Sequence, residues 1–261
     1  NAKPVSVIED TAVAPERLPA YMKDFGKMLE RLGLTCVYHA HIGTGELHLR
    51  PVLNLKEEKD RVLFRRVAEE TAKLVKKHRG SLSGEHGDGR LRGEFIPLLF
   101  GEKVYGLMQE TKACWDPEGI FNARKIVNTP PMDTSLRYEV GDSNVTCRTY
   151  FDFSKEKGWL CAIEQCNGSG DCRKSYAFGG TMCPSFRATR EESHTTRARA
   201  NTLRELITHP RTKKIYDQRE ILEVLDTCVS CKACKSECPS NVDIARFKAE
   251  FLQQHYDVCG V

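Results

Sequence analysis

The 261 residues carry 40 basic and 36 acidic side chains, a formal net charge of +4. That balance argues against nucleic acid or a membrane surface as the main partner, and the length admits one large domain or two ordinary ones. No apolar run is long enough to span a membrane and no signal-peptide pattern opens the chain, so a cytoplasmic protein is expected, peripheral to a membrane only through an electron acceptor. With Asn1 first and an abrupt stop at HYDVCGV, the chain reads as a fragment of a longer polypeptide.

In chain order, APERLPAYMKDFGKMLERLG reads as a helix. Leu18, Met22, Phe25, Leu29 and Leu32 recur at helical steps, and Gly33 stops it. TCVYHAH and ELHLRPVL alternate around the turn Ile42-Gly43-Thr44-Gly45 and predict a hairpin. Leu55 to His78 predicts a long amphipathic helix ending at Gly80. A short strand, the loop SGEHGDGR and helical segments through Cys114 follow, which together suggest an α+β domain. From Asn128 to Gly158 periodicity is lost and Pro, Ser, Asp and Thr increase, as in a linker. Beyond it helices alternate with cysteine loops. Thr189 and Glu192 have capping-box spacing, and Asp243 is placed to cap IARFKAEFLQQHY.

Twelve cysteines are too sparse for a disulfide scaffold. Their grouping instead indicates metal or cluster ligands in a reducing compartment. CVSCKACKSECP places Cys228, Cys231, Cys234 and Cys238 at the spacing of bacterial-type ferredoxins, ending in Cys-Pro. A zinc knuckle is the weaker alternative, because zinc sites favour separated CxxC pairs. CNGSGDCRKSYAFGGTMCP aligns with that run: Cys166 and Cys172 match its first and third cysteines, Ser169 stands at the second, and Cys183 supplies the Cys-Pro end. In two-cluster ferredoxins the fourth ligand is exchanged between clusters. The expected sets are therefore Cys228, Cys231, Cys234 and Cys183 for a complete [4Fe–4S] cluster, and Cys166, Cys172 and Cys238 for a second one. Three thiolates suit [3Fe–4S]; [4Fe–4S] would need an outside ligand, from Cys161, Cys147 or the Ser169 oxygen. The iron–sulfur subunits of succinate dehydrogenase and fumarate reductase are similar in pairing one complete run with one lacking its second cysteine. Cys36, Cys114 and Cys259 are expected to be packing residues.

HAHIGTGELHLRP sets His39, His41, His48 and Arg50 on one face by strand alternation. With Glu85 from SGEHGDGR, His41 and His48 make a divalent-metal triad with open positions. The alternatives are ordinary strand histidines, and a loop that cradles phosphate through its backbone N–H groups.

The segments EDTAVAPERL, AHIGTGELHLRP, SGEHGDGRLR and DPEGIFNARKI, in this order, resemble the C-terminal half of FAD-linked 2-hydroxyacid dehydrogenases, including those acting on D-lactate, glycolate and D-2-hydroxyglutarate. The cysteine region that follows is similar to the large fused FAD and iron–sulfur members. The resemblance implies an FAD-linked oxidase C-terminal capping domain over residues 1–137, a linker over 138–155 and an all-α ferredoxin-like domain over 156–261. It implies a divalent metal, commonly zinc, on His41, His48 and Glu85, with His86 as the catalytic base that touches substrate. Arg50 stands where the family often has a substrate-binding asparagine, and Ala40, Thr44 and Glu46 also depart from the family pattern. Asn122 and Lys125 are the flavin-side candidates. FAD would be bound mainly by an upstream domain, since no glycine-rich dinucleotide fingerprint occurs here. The expected function is oxidation of a small 2-hydroxy acid, with electrons leaving through the clusters to an acceptor. The rival is a non-catalytic iron–sulfur module docking on a separate flavoprotein. A chain lacking the FAD domain is expected to be inactive alone.

Overall fold

The computed structural model describes residues 2–142 and 147–260. Two compact units divide between Ser143 and Asn144, inside the stretch read as linker. Residues 143–146 of that stretch lie outside the described residues. Among the described residues no helix is long and apolar enough to cross a membrane.

The first unit contains β1 (Lys3–Pro4), β2 (Ile8–Ala12), α1 (Leu18–Leu32), β3 (Cys36–His41), β4 (Glu46–Leu53), α2 (Glu58–Lys77), α3 (Ile96–Phe100) and α4 (Glu102–Trp115). β4 is the common partner: β1, β2 and β3 all pair with it antiparallel. Leu47, Leu49 and Leu53 alternate onto its buried apolar face, where Ile8 and residues of α1 and α2 complete the core. On α1 the core side chains are Tyr21, Phe25, Met28 and Leu29, and Gly33 ends the helix in the left-handed conformation, as expected. Four local readings need correction. α2 starts three residues after Leu55 and ends before Gly80, with Arg79 taking the left-handed turn. The short strand expected after it is a single bridge, Ala12 to Ser81. β1 and β2 were not expected. Most of the family-like segment EDTAVA is strand, and Asp10 in it is an extra residue opposite β4, a β-bulge with φ of 81°.

The second unit is helical, with no strand among its described residues: α5 (Trp159–Ile163), α6 (Pro184–Thr189), α7 (Thr196–Thr208), α8 (Arg219–Asp226), α9 (Ala233–Glu237) and α10 (Ile244–Cys259). Its core holds Trp159, Ile163, Leu203, Ile207, Ile221, Leu225, Phe247 and Phe251, together with Cys166, Cys172, Cys183 and Cys234. α7 is capped by Thr195, whose hydroxyl accepts from Ala198 N at 2.9 Å. The capping box expected at Thr189 and Glu192 does not form. The Thr189 hydroxyl bonds Ser185 O and His194 Nδ1, and Glu192 opens a 3-10 turn instead. Asp243 caps α10 as expected, accepting from Arg246 N at 3.1 Å.

Candidate metal and cluster sites

The β3–β4 register pairs His39 with His48, His41 with Glu46 and Val37 with Arg50. Cross-strand partners share a face, so the polar side chains stand together opposite the leucines. His39 and His48 ring centroids are 5.8 Å apart, and those of His41 and His48 5.2 Å. β2 adds Glu9 directly across from His48. The loop 83–87 brings Glu85 Oε1 within 3.6 Å of His48 Nε2 and 3.9 Å of His41 Nε2. One ligand atom from each of His41, His48 and Glu85 lies within 4.8 Å of the others. His86 stacks on His48 at 5.2 Å, with Nε2 3.1 Å from Glu85 Oε1.

Asp10 builds this loop. It is fully buried, and its carboxylate accepts from Glu85 N at 2.7 Å, His86 N at 3.0 Å and the Ser83 hydroxyl. Its own carbonyl accepts from Gly84 N at 2.7 Å. Buried Arg92 binds the Asp10 carboxylate at 3.2 Å and the carbonyls of Glu9 and Gly87. Burial works to raise the Asp10 carboxyl, but the hydrogen bonds of Ser83 and the loop outweigh it and hold it below the usual range. The Asp10 carboxylate already takes the N–H groups of Glu85 and His86, which argues against the phosphate-cradle alternative at these two positions.

Two further carboxylates face the histidines, and sequence reading had not assigned either to the site. Glu9 accepts both Arg50 Nε, at 3.0 Å, and Arg50 Nη2, and stands 3.7 Å from His48 Nδ1. Burial would raise it, but Arg50 and Ser6 hold it low. Glu46 Oε1 lies 4.0 Å from His48 Nε2, and its carboxyl is raised, first by burial and then by Asp10 and Glu85. Glu46 Oε1 and His48 Nδ1 are buried without a hydrogen-bond partner. Such atoms need an explanation in a folded protein. Two imidazoles and a carboxylate are also a donor set that a zinc-like ion accepts, so these residues fit a divalent metal. The alternation of β4 could have flagged Glu46; nothing local marked Glu9. Arg50 is partly exposed, as are Asn122 and Lys125 in the turns after α4, and no hydrogen bond or ion pair among the described residues joins Asn122 or Lys125 to the histidines.

In the second unit Cys183, Cys228, Cys231 and Cys234 line one pocket. Glu237 holds the two cysteine segments together by accepting from Thr181 N at 2.8 Å, Met182 N at 2.9 Å and the Thr181 hydroxyl at 2.7 Å. Gly180 beside it has φ of 68°, the left-handed conformation that favours glycine. Cys234 is pushed up to about 11 by burial, whereas Cys183 is held low because Ser185, the Phe186 N–H and Arg199 outweigh its burial. All twelve cysteines are free thiols. Four thiols lining one pocket without disulfides fit an iron–sulfur cluster. Cys166 and Cys172 are buried, and Cys238 is half-buried at the end of α9. Ser169 is exposed and its hydroxyl donates to Asp171 at 3.0 Å. Cys147 pairs with Tyr216, while Cys114 and Cys259 are exposed, contrary to the packing role expected of them.

Residues 1–126 match the family described as FAD linked oxidases, C-terminal domain, and residues 165–243 match the 4Fe-4S dicluster domain. The chain is 29% identical to D-2-hydroxyglutarate dehydrogenase of Escherichia coli over 98% of its length and 31% identical to that of Pseudomonas putida over the same share. It covers 28% of either relative. It is 30% identical to D-lactate dehydrogenase of Archaeoglobus fulgidus over 125 residues, 48% of this chain and 27% of that protein. The chain thus joins an FAD-linked oxidase C-terminal domain to a 4Fe–4S dicluster domain.

Proposed function

We propose that this chain forms the substrate-capping and electron-exit part of a flavin- and iron–sulfur-dependent dehydrogenase of a small 2-hydroxy acid. The convergence of His41, His48 and Glu85, with His86 beside Glu85, carries the reading. A pure electron carrier has no use for this group. An upstream domain would supply most of the FAD site, and relatives of which this chain covers 28% support that division. Exposed Trp115, Ile120 and Phe121 near the end of the first unit suit contact with such a domain.

His41, His48 and Glu85 would hold a divalent metal, zinc by its donor set, which polarises a bound hydroxyl. A hydroxyl seated beside Glu85 comes within reach of His86 Nε2, which takes its proton. Asp10 keeps Glu85 and His86 on one rigid turn. Glu9 accepts from both donors on one edge of the Arg50 guanidinium, leaving Nη1 for a substrate carboxylate. Cys183, Cys228, Cys231 and Cys234 would hold one cluster and Cys166, Cys172 and Cys238 the other, and bound clusters supply one-electron transfer.

The test is steady-state kinetics and metal analysis of the complete protein on a panel of D- and L-2-hydroxy acids. His48→Ala should lose the metal. His86→Gln should keep it and lower kcat by about a hundredfold or more. Turnover of no hydroxy acid by metal-, flavin- and cluster-loaded protein would leave the electron-carrier reading.

A further inference from the structure

Arg199 on α7 is among the largest fully buried side chains, 1% exposed. Its Nε donates to Val224 O at 2.9 Å, Nη1 to Cys183 Sγ at 3.3 Å, and Nη2 to the hydroxyls of Ser185 at 3.0 Å and Thr227 at 2.7 Å. Its partners among the described residues are a carbonyl, a thiol and two hydroxyls, none of which offsets the guanidinium charge. A buried charge without a counter-ion is costly. Arg197, two residues earlier, is different: Glu192 pairs with it at 2.8 Å. Arg199 also lines the pocket formed by Cys183, Cys228, Cys231 and Cys234.

We propose that Arg199 is a positioning residue that raises the reduction potential of the iron–sulfur site formed by these four cysteines. The inference rests on the ligand set proposed above. Four thiolates outweigh the positive charge of an oxidised iron–sulfur core, so the loaded site is the anion that the guanidinium lacks. One-electron reduction adds a further negative charge and neither forms nor breaks a bond. A fixed positive charge donating to a ligand sulfur stabilises the reduced form more than the oxidised one. Burial strengthens the effect because little water screens it.

The test is an EPR-monitored redox titration of the complete, cluster-loaded protein, purified anaerobically, with iron analysis of each variant. In Arg199→Gln the midpoint of one cluster should fall by at least ~59 mV, a tenfold smaller reduced-to-oxidised ratio at the original midpoint. Arg199→Lys, which keeps the charge, should recover most of the shift. The cluster that moves should be the one lost in Cys231→Ser. An unchanged midpoint with full iron, while Cys231→Ser removes one signal, overturns the role of Arg199 and leaves the ligand set standing. A moved signal that persists in Cys231→Ser shows the ligand set to be wrong, and the proposal falls with it. Should Arg199→Gln fail to retain iron, Arg199→Met, a second neutral variant with an unbranched side chain, decides: a midpoint lowered to a similar extent supports the proposal, and an unchanged one overturns it.

Discussion

Asp10 shows how one residue can organise a site without facing it. Its left-handed backbone is uncommon outside glycine and asparagine-like residues, and the bulge turns its carboxylate toward the Glu85 loop. In Asp10→Asn the two loop N–H groups lose an anionic acceptor and Arg92 loses its carboxylate partner. We expect a loss of about 3 kcal/mol in denaturant unfolding, as for other broken buried pairs. Zinc affinity should fall about tenfold or more in a competition titration, because the mutation disturbs the support of Glu85. Gly45 is as constrained for a different reason. Its φ is 78° and a Cβ would lie 1.8 Å from Val13 O, where its own carbonyl accepts from Val13 N at 3.0 Å. Gly45→Ala should cost at least about 2 kcal/mol, read from the same unfolding curves.

Among the elements, α1 and β2 meet at Tyr21, whose hydroxyl donates to Thr11 Oγ1 at 3.3 Å. Burial pushes the phenol up to about 12. Below pH 10 the folded and unfolded chains both keep this proton, and the contribution to stability is complete. Between pH 10 and about 12 the unfolded chain ionises while the folded one does not, so stability is lost across that window. Tyr21→Phe should flatten this alkaline limb in urea unfolding at a series of pH values. β2 itself was hidden from sequence reading because Glu9, Asp10 and Thr11 are a polar run and the first two are disfavoured in strands. They are tolerated inside because Arg50, the loop N–H groups with Arg92, and Tyr21 satisfy them. β3 and β4 were legible because their alternation is regular and a Gly-containing turn separates them.

For the molecule as a whole, the two cysteine groups differ in completeness. Cys183, Cys228, Cys231 and Cys234 share a pocket, while Ser169, at the second-cysteine position of the other group, turns its hydroxyl to Asp171. A serine oxygen is a poor iron ligand because its proton is hard to remove. Protein purified anaerobically should therefore show the EPR signal of oxidised [3Fe–4S] before any reductant is added, with about seven irons per chain. Ser169→Cys should raise the iron content to about eight and abolish that signal. Silent protein with a full complement of iron would instead point to an outside ligand, with Cys161 the first to replace.

Local pattern determined much of this protein: the period of α1, the β3–β4 hairpin, the cap at Asp243 and the cysteine spacings all follow from neighbouring residues. Such features depend on backbone geometry over a few positions, so the sequence carries them directly. The candidate histidine group was half legible, since strand alternation placed His39, His41 and His48 together. Tertiary structure alone decided that Glu9 would face them and that Asp10 would occupy the anion position of the glycine-rich loop. It also decided that Arg199 would reach Cys183 from another helix. These contacts join residues far apart in the chain, and those of Asp10 and Arg199 exist because a buried charge or hydrogen-bonding group must find a partner once water is excluded.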